Sequence, residues 1–220
     1  MIFGSRPYAS ELRQIVNENG SDGTVHCAAA NLNAVGMTVD FSVDANNPEV
    51  RPWSWRSGQA QFPFAVLPDR DHSSIHEPLE ASGAQDAISQ RLGDLILAAL
   101  ACNTPEAYQA IYTAWQQTSE QTADLSQNDA ALNAAFKGDP PDPQMLHQYL
   151  QVVAVVRDDQ GQLVDDYFLE FFAPEQRGSE DAVYFHQHVL DDVHVNGEVS
   201  SRRCFFVDRT DLMLGFYPLI

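Results

Sequence analysis

The chain has 220 residues with 44% hydrophobic composition, enough to bury a sizeable core, and no apolar stretch of about 18 residues that would span a bilayer. Its 31 acidic residues outnumber 12 basic ones, leaving a formal charge of −19. That balance repels phosphate backbones, and no Lys/Arg cluster offsets it, so nucleic acid is excluded as an expected partner.

The start, "MIFGSRPYASELRQIVNENG", reads as the end of a strand followed by a loop, as though the chain entered a fold partway through. Val25–Ala30 and Met37–Val43 are short apolar runs around "NLNAVG" and are expected as two strands or as a strand with an extension. Asp44–Gln61, with Pro52, Trp53 and Trp55, reads as loop, and Phe62–Pro68 as a buried strand bounded by prolines. Asp69–Ala84 is polar and irregular. Asp86–Cys102 places Ile88, Leu92, Leu95, Ile96 and Ala99 at helical spacing.

Thr104 and Pro105 have the signature of an N-cap and a first-turn proline, with Tyr108, Ile111, Tyr112 and Trp115 on the apolar face of the helix they open. Gln116–Asp129 is polar, and "KGDPPDP" (Lys137–Pro143) has the composition of a linker or a proline-fixed corner. Beyond it the texture turns to β. Two β-rich runs flank Asp158-Asp159-Gln160-Gly161, a hairpin signal, and Ala182–Val189 and Arg202–Asp208 are expected as further strands around the turn "VNGEVSS". The expected organisation is an α/β part over residues 1–103, a helical connector over 104–143 and a β-rich module over 144–220, the last a small antiparallel sandwich.

Cys27, Cys102 and Cys204 are odd in number and widely spaced, which favours buried free thiols of a reducing compartment. No secretory leader precedes them, so a cytoplasmic location is the expectation.

Two stretches carry the chemistry. In Ser21-Asp22-Gly23-Thr24-Val25 an acid sits on a glycine-flanked turn at the lip of an apolar run, and in Asp71-His72-Ser73-Ser74-Ile75 a histidine follows a strand, 50 residues later. Each alone reads as an ordinary turn, with Asp bonding its own backbone. Together, "GSDGTVHCAAANL" and "PFAVLPDRDHSSI" resemble the acid and histidine segments of serine lipases and esterases of the α/β-hydrolase fold.

The resemblance covers about the first hundred residues. It implies the C-terminal portion of an α/β-hydrolase sheet, with Asp22 as the triad acid and His72 as the base that takes a proton from a serine. It also implies an ester or lipid substrate and no cofactor. The family's nucleophile elbow, G-x-S-x-G, is absent from this sequence, and only 21 residues precede Asp22. Two explanations fit: a protein that kept the fold remnant and lost the chemistry, or, favoured by the strand-like start at Ile2-Phe3-Gly4, a chain that supplies two members of a Ser-Asp-His triad, with the serine upstream and outside it, and is inactive alone.

A sheet fragment of this kind leaves an open edge, so either a segment outside this chain or a partner chain is expected to cover it. The alternative function is a non-catalytic interaction protein acting through the C-terminal β module. His186 and His188, with His194 nearby, are weak metal-ligand candidates if their strand places both rings on one face. His26 and His76 carry no assigned role, and Trp53 and Trp55 are expected at a core edge or lining an acyl pocket.

Overall fold

The computed structural model describes residues 1–5, 19–53, 61–76, 87–136, 140, 142–167, 183–195 and 200–216. Mixed helices and small sheets make up the chain. Strand β1 (Ile2–Gly4) runs parallel to β4 (Ala65–Leu67), with Ile2 opposite Ala65 and Gly4 opposite Leu67. A parallel pair needs a crossover, and the chain between the two strands supplies it. Past β4 the backbone folds back over the end of β1 so closely that a Cβ on Gly4 would lie 2.0 Å from the Arg70 carbonyl oxygen, which only glycine tolerates.

The expected strand at Val25–Ala30 is instead a turn followed by a helical turn, α1 (Cys27–Ala30), because three consecutive alanines favour helix over extended backbone. The second run does form a strand, β2 (Met37–Asp40). Its partner is β3 (Glu49–Pro52), inside the stretch expected as loop. β3 escapes notice because it is a short edge strand of mixed composition ended by proline. Trp53 follows it and donates its indole N–H to Thr38 Oγ1 at 2.9 Å. Trp55 lies outside the described residues.

The core of this part packs Ala65, Leu67, Leu92, Leu95 and Trp115 together, drawn from β4, α2 (Ala87–Ala101) and α3 (Pro105–Asp124). Leu92→Ala should cost about 2–5 kcal/mol of stability, because the residue is 1% exposed and truncation leaves a void; the urea midpoint measures it. Thr104 caps α3 by accepting from the Ala107 N–H, with Pro105 in the first turn as expected.

The helix then runs on through much of the polar stretch Gln116–Asp129, to Asp124. Its inward polar residues serve the sheet: Ser119 Oγ accepts from the Val66 N–H at 3.0 Å and donates to the Phe64 carbonyl, and Thr122 Oγ1 donates to the Val66 carbonyl at 2.7 Å. These hydroxyls occupy main-chain groups of β4 that another strand would otherwise take. The edge of β4 at Val66 is therefore occupied from within the chain. Helix α4 (Asp129–Ala135) follows, capped by Asn128, and Leu132 and Phe136 pack on Leu146.

The rest is built on a three-stranded antiparallel sheet in the order β5 (Tyr149–Val155), β7 (Arg202–Asp208), β6 (Leu190–Val195). The turn expected after β5 is present: Gly161 has φ +76°, and Arg157 bridges Leu163. A second sheet facing this one, as a sandwich requires, is not among the described residues. Phe185–Val189 is a helical turn, not the strand expected over Ala182–Val189. Strand pairing begins only at Leu190, because Phe185 and Val189 turn inward onto Phe216 and Val207, a spacing of four that suits helical geometry. No helix among the described residues is long and apolar enough to cross a membrane.

Candidate active site

Gly20 and Gly23 adopt positive φ, +66° and +91°, and the turn between them folds the chain back on itself. Ser21 bridges His26, and the Cys27 N–H donates to the Gly20 carbonyl at 2.9 Å, closing the loop. Asp22 sits inside it, 2% exposed. One carboxylate oxygen, Oδ1, accepts from the backbone N–H groups of Thr24 at 3.0 Å and Val25 at 2.8 Å. That is the ordinary Asx bond of such a turn, and it fixes the carboxylate plane.

The other oxygen, Oδ2, lies 2.9 Å from Nδ1 of His72. The backbone repeats the link, with the His72 N–H donating to the Asp22 carbonyl at 2.8 Å. The structure thus brings together the two residues singled out in the sequence. His72 is held from its own side by Asp71, whose Oδ1 accepts from the N–H groups of Ser73 and Ser74 and from the Ser74 hydroxyl.

A carboxylate oxygen can only accept, so the ring nitrogen facing Asp22 carries the proton. Nε2 is left with its lone pair and bonds to none of the described residues. The histidine side chain is 49% exposed while its aspartate is 3% exposed, so the dyad has a buried anchor and an open face. A group able to accept a proton at that face is what a hydroxyl nucleophile requires. Cys27 is no rival nucleophile: burial, then the Asp22 charge, push its thiol far up and keep it protonated, and its Sγ contacts the Gly4 carbonyl. All three cysteines are free and partly buried.

A second His–Asp pair escaped the sequence reading. His147 Nδ1 lies 2.6 Å from Oδ2 of Asp208 and 3.9 Å from Oδ1 of Asp211, with His147 and Asp208 both buried. Asp208 also caps the turn after β7 by accepting from the Asp211 N–H. That Asp-x-x-Asp spacing is the sole local signal, and it says cap, not ion pair. Burial works to lower the His147 imidazole, but the bond to Asp208 and the charges of Asp208, Asp211 and Asp142 prevail and hold it above its usual value. Burial, then repulsion from Asp208, push Asp211 up.

Both shifts have one sign. A group whose folded pKa is raised stabilises the fold below its unfolded value and loses that contribution as pH rises through the folded one. Stability should therefore decline as pH rises from 6.5, the ordinary histidine value, through the raised value of His147. Urea midpoints across that range check this, and His147→Gln should flatten the decline.

Of the weak metal candidates, His186 and His188 do not share one face. His186 and His188 lie two apart on a helical turn, so they point to roughly opposite sides and not to one strand face. His188 packs against the Tyr184 ring at 4.7 Å, and His186 against Phe185 at 5.8 Å. His194 lies on β6 with its backbone opposite Cys204. His76 ends a short 3-10 helix, Ser74–His76, at the surface. A cavity of about 320 Å³ runs between α3, β4 and β5, lined by Phe64, Tyr112, Gln116, His147 and Arg209 among others. Neither Asp22, His72 nor Trp53 lines it.

No protein-family model matches the sequence, and no curated protein does. The fold does have solved counterparts. The structure of phospholipase PlaB from Legionella pneumophila superposes on this chain with a TM-score of 0.69 at 18% identity, covering 98% of this chain and 44% of PlaB. A structure of PlaB from Legionella pneumophila in complex with thio-NAD superposes equally well, with 45% of that chain covered. The chain therefore has the fold of somewhat less than half of a phospholipase, from end to end of its own length.

Proposed function

We propose that this chain is the acid–base portion of a serine carboxylic-ester hydrolase, with Asp22 orienting His72 and His72 activating a serine hydroxyl carried outside these 220 residues. The observation that carries the reading is the 2.9 Å contact between His72 Nδ1 and a carboxylate buried in its own turn, with the opposite ring nitrogen bonded to none of the described residues. The fold it shares with a phospholipase supports an ester-hydrolysing role and makes a lipid ester the first substrate to try.

The chemistry runs in a fixed order. A serine hydroxyl placed within hydrogen-bond reach of His72 Nε2 attacks the ester carbonyl while the imidazole takes its proton. The imidazolium that forms carries protons on both nitrogens, and Asp22 stabilises it through Nδ1. His72 then returns the proton to the departing alcohol, and water repeats the cycle on the acyl-serine. Asp22 keeps its place because two backbone N–H groups hold Oδ1 and leave only Oδ2 for the histidine.

In this reading residues 1–103 form the C-terminal part of the hydrolase domain, 104–143 the helical connector and 144–220 the β-rich module. The test is ester turnover by the serine-bearing protein that contains this chain, assayed with a short-chain ester and a phospholipid. His72→Ala should abolish most of the rate on both. A variant with undiminished rate on both rejects the proposal.

A further inference from the structure

His26 and Tyr149 are left without a part in the chemistry above, yet they meet where the acid turn joins the β sheet, His26 buried and Tyr149 half-buried. His26 is 6% exposed, and its ring lies 4.1 Å from that of Phe206, nearly parallel at 15°. The Tyr149 ring meets it edge-on at 5.1 Å. Tyr149 also lies directly against Gly20, where an added Cβ would come 2.1 Å from the aromatic ring. The Gly20 N–H donates to the Met145 carbonyl at 3.3 Å. The turn that carries Asp22 is thus gripped at both ends, at Gly20 and at His26, by residues leading into and lying on β5 and β7.

The sheet register explains why these side chains reach the turn together. Tyr149 is paired with Asp208, and Phe206 lies two residues before Asp208, so all three project from one face. On that same face the Asp208 carboxylate pairs with His147. Burial and the charge of Asp208, toward which the Tyr149 hydroxyl is turned, hold the phenol protonated.

We propose that the β5–β7 face is a positioning platform for the acid: His26 and Gly20, seated on Phe206 and Tyr149, hold Asp22 in register with His72. This rests on the reading of Asp22 and His72 as the acid–base pair and assigns His26, Tyr149 and Phe206 as positioning residues. It gives the C-terminal module a role in the reaction. A carboxylate that drifts by an ångström no longer fixes the imidazole tautomer, and rate is lost without any contact to substrate being broken.

The test needs no substrate and uses this 220-residue chain. Ring-nitrogen chemical shifts from 15N-histidine NMR report which tautomer His72 adopts, a signal that a purely stabilising contact would not move. In the wild type, His72 should be in the Nδ1–H form. Phe206→Leu keeps apolar bulk but removes the flat face under His26, and Gly20→Ala forces the turn off Tyr149. Each should move the His72 ring shifts at least halfway toward those of Asp22→Asn. Tyr149→Phe, which keeps the ring, should leave them near wild type.

Folded Phe206→Leu and Gly20→Ala proteins with wild-type His72 shifts would overturn the proposal, even if both had lost stability. Should either fail to fold, His26→Gln supplies the same comparison from the other side of the contact. A wild-type His72 in the Nε2–H form would overturn the dyad itself, and the platform with it. Failure of the hydrolase reading would show separately, in turnover that survives Asp22→Asn.

Discussion

Asp22→Asn should lower ester turnover by roughly 10⁴-fold in the serine-bearing protein, while the fold and the urea midpoint stay close to wild type. The amide matches the carboxylate in size and can still accept the Thr24 and Val25 N–H bonds through its oxygen. Its nitrogen then faces His72 as a donor, so the imidazole must offer a lone pair at Nδ1 and carry its proton on Nε2. That is the wrong nitrogen for accepting a proton from serine. The loss should fall on kcat with little change in KM, because neither the substrate nor its pocket is touched. Steady-state kinetics on a short ester measure both constants.

His147→Ala should be the most destabilising polar substitution in the β module, by about 3–5 kcal/mol. The imidazole has 7% side-chain exposure and its partner Asp208 has 4%, so truncation strands a buried carboxylate beside a second one, Asp211. Asp208→Asn in the same background should recover part of the loss, since removing the stranded charge relieves the penalty that removing its partner created. A double-mutant cycle read from urea midpoints checks both statements. Equal, additive losses would mean that the two side chains do not act as a pair.

Local signals made the acid turn legible in the sequence. Two glycines around Ser21-Asp22 demand a tight turn, and "FPFAVLP" announces a strand before His72; both features lie within a few residues of the group they position. The Thr104–Pro105 helix start and the Gly161 turn are legible for the same reason. His147 and Asp208 are 61 residues apart, and each looks like loop or cap in its own neighbourhood, so only the tertiary fold pairs them.

The sequence does not show where α3 ends, because Thr118, Ser119 and Thr122 are polar, yet they face inward to bond the backbone of β4 and their own helix. A polar residue that serves a strand edge breaks the rule that inward means apolar. Phe185–Val189 failed differently: five residues are too few to separate a period of two from a helical one, and an alternating His-x-His suits either pattern until packing decides.

The most direct measurement is labelling of the serine-bearing protein by a fluorophosphonate ester, which reacts covalently only with a serine whose proton a base can take. Labelling at one serine in the wild type, with the rate falling by orders of magnitude in Asp22→Asn and in His72→Ala, is the predicted result. Equal labelling rates in all three proteins, or no labelled serine in the wild type, would contradict the assignment of Asp22 and His72 as the acid–base pair.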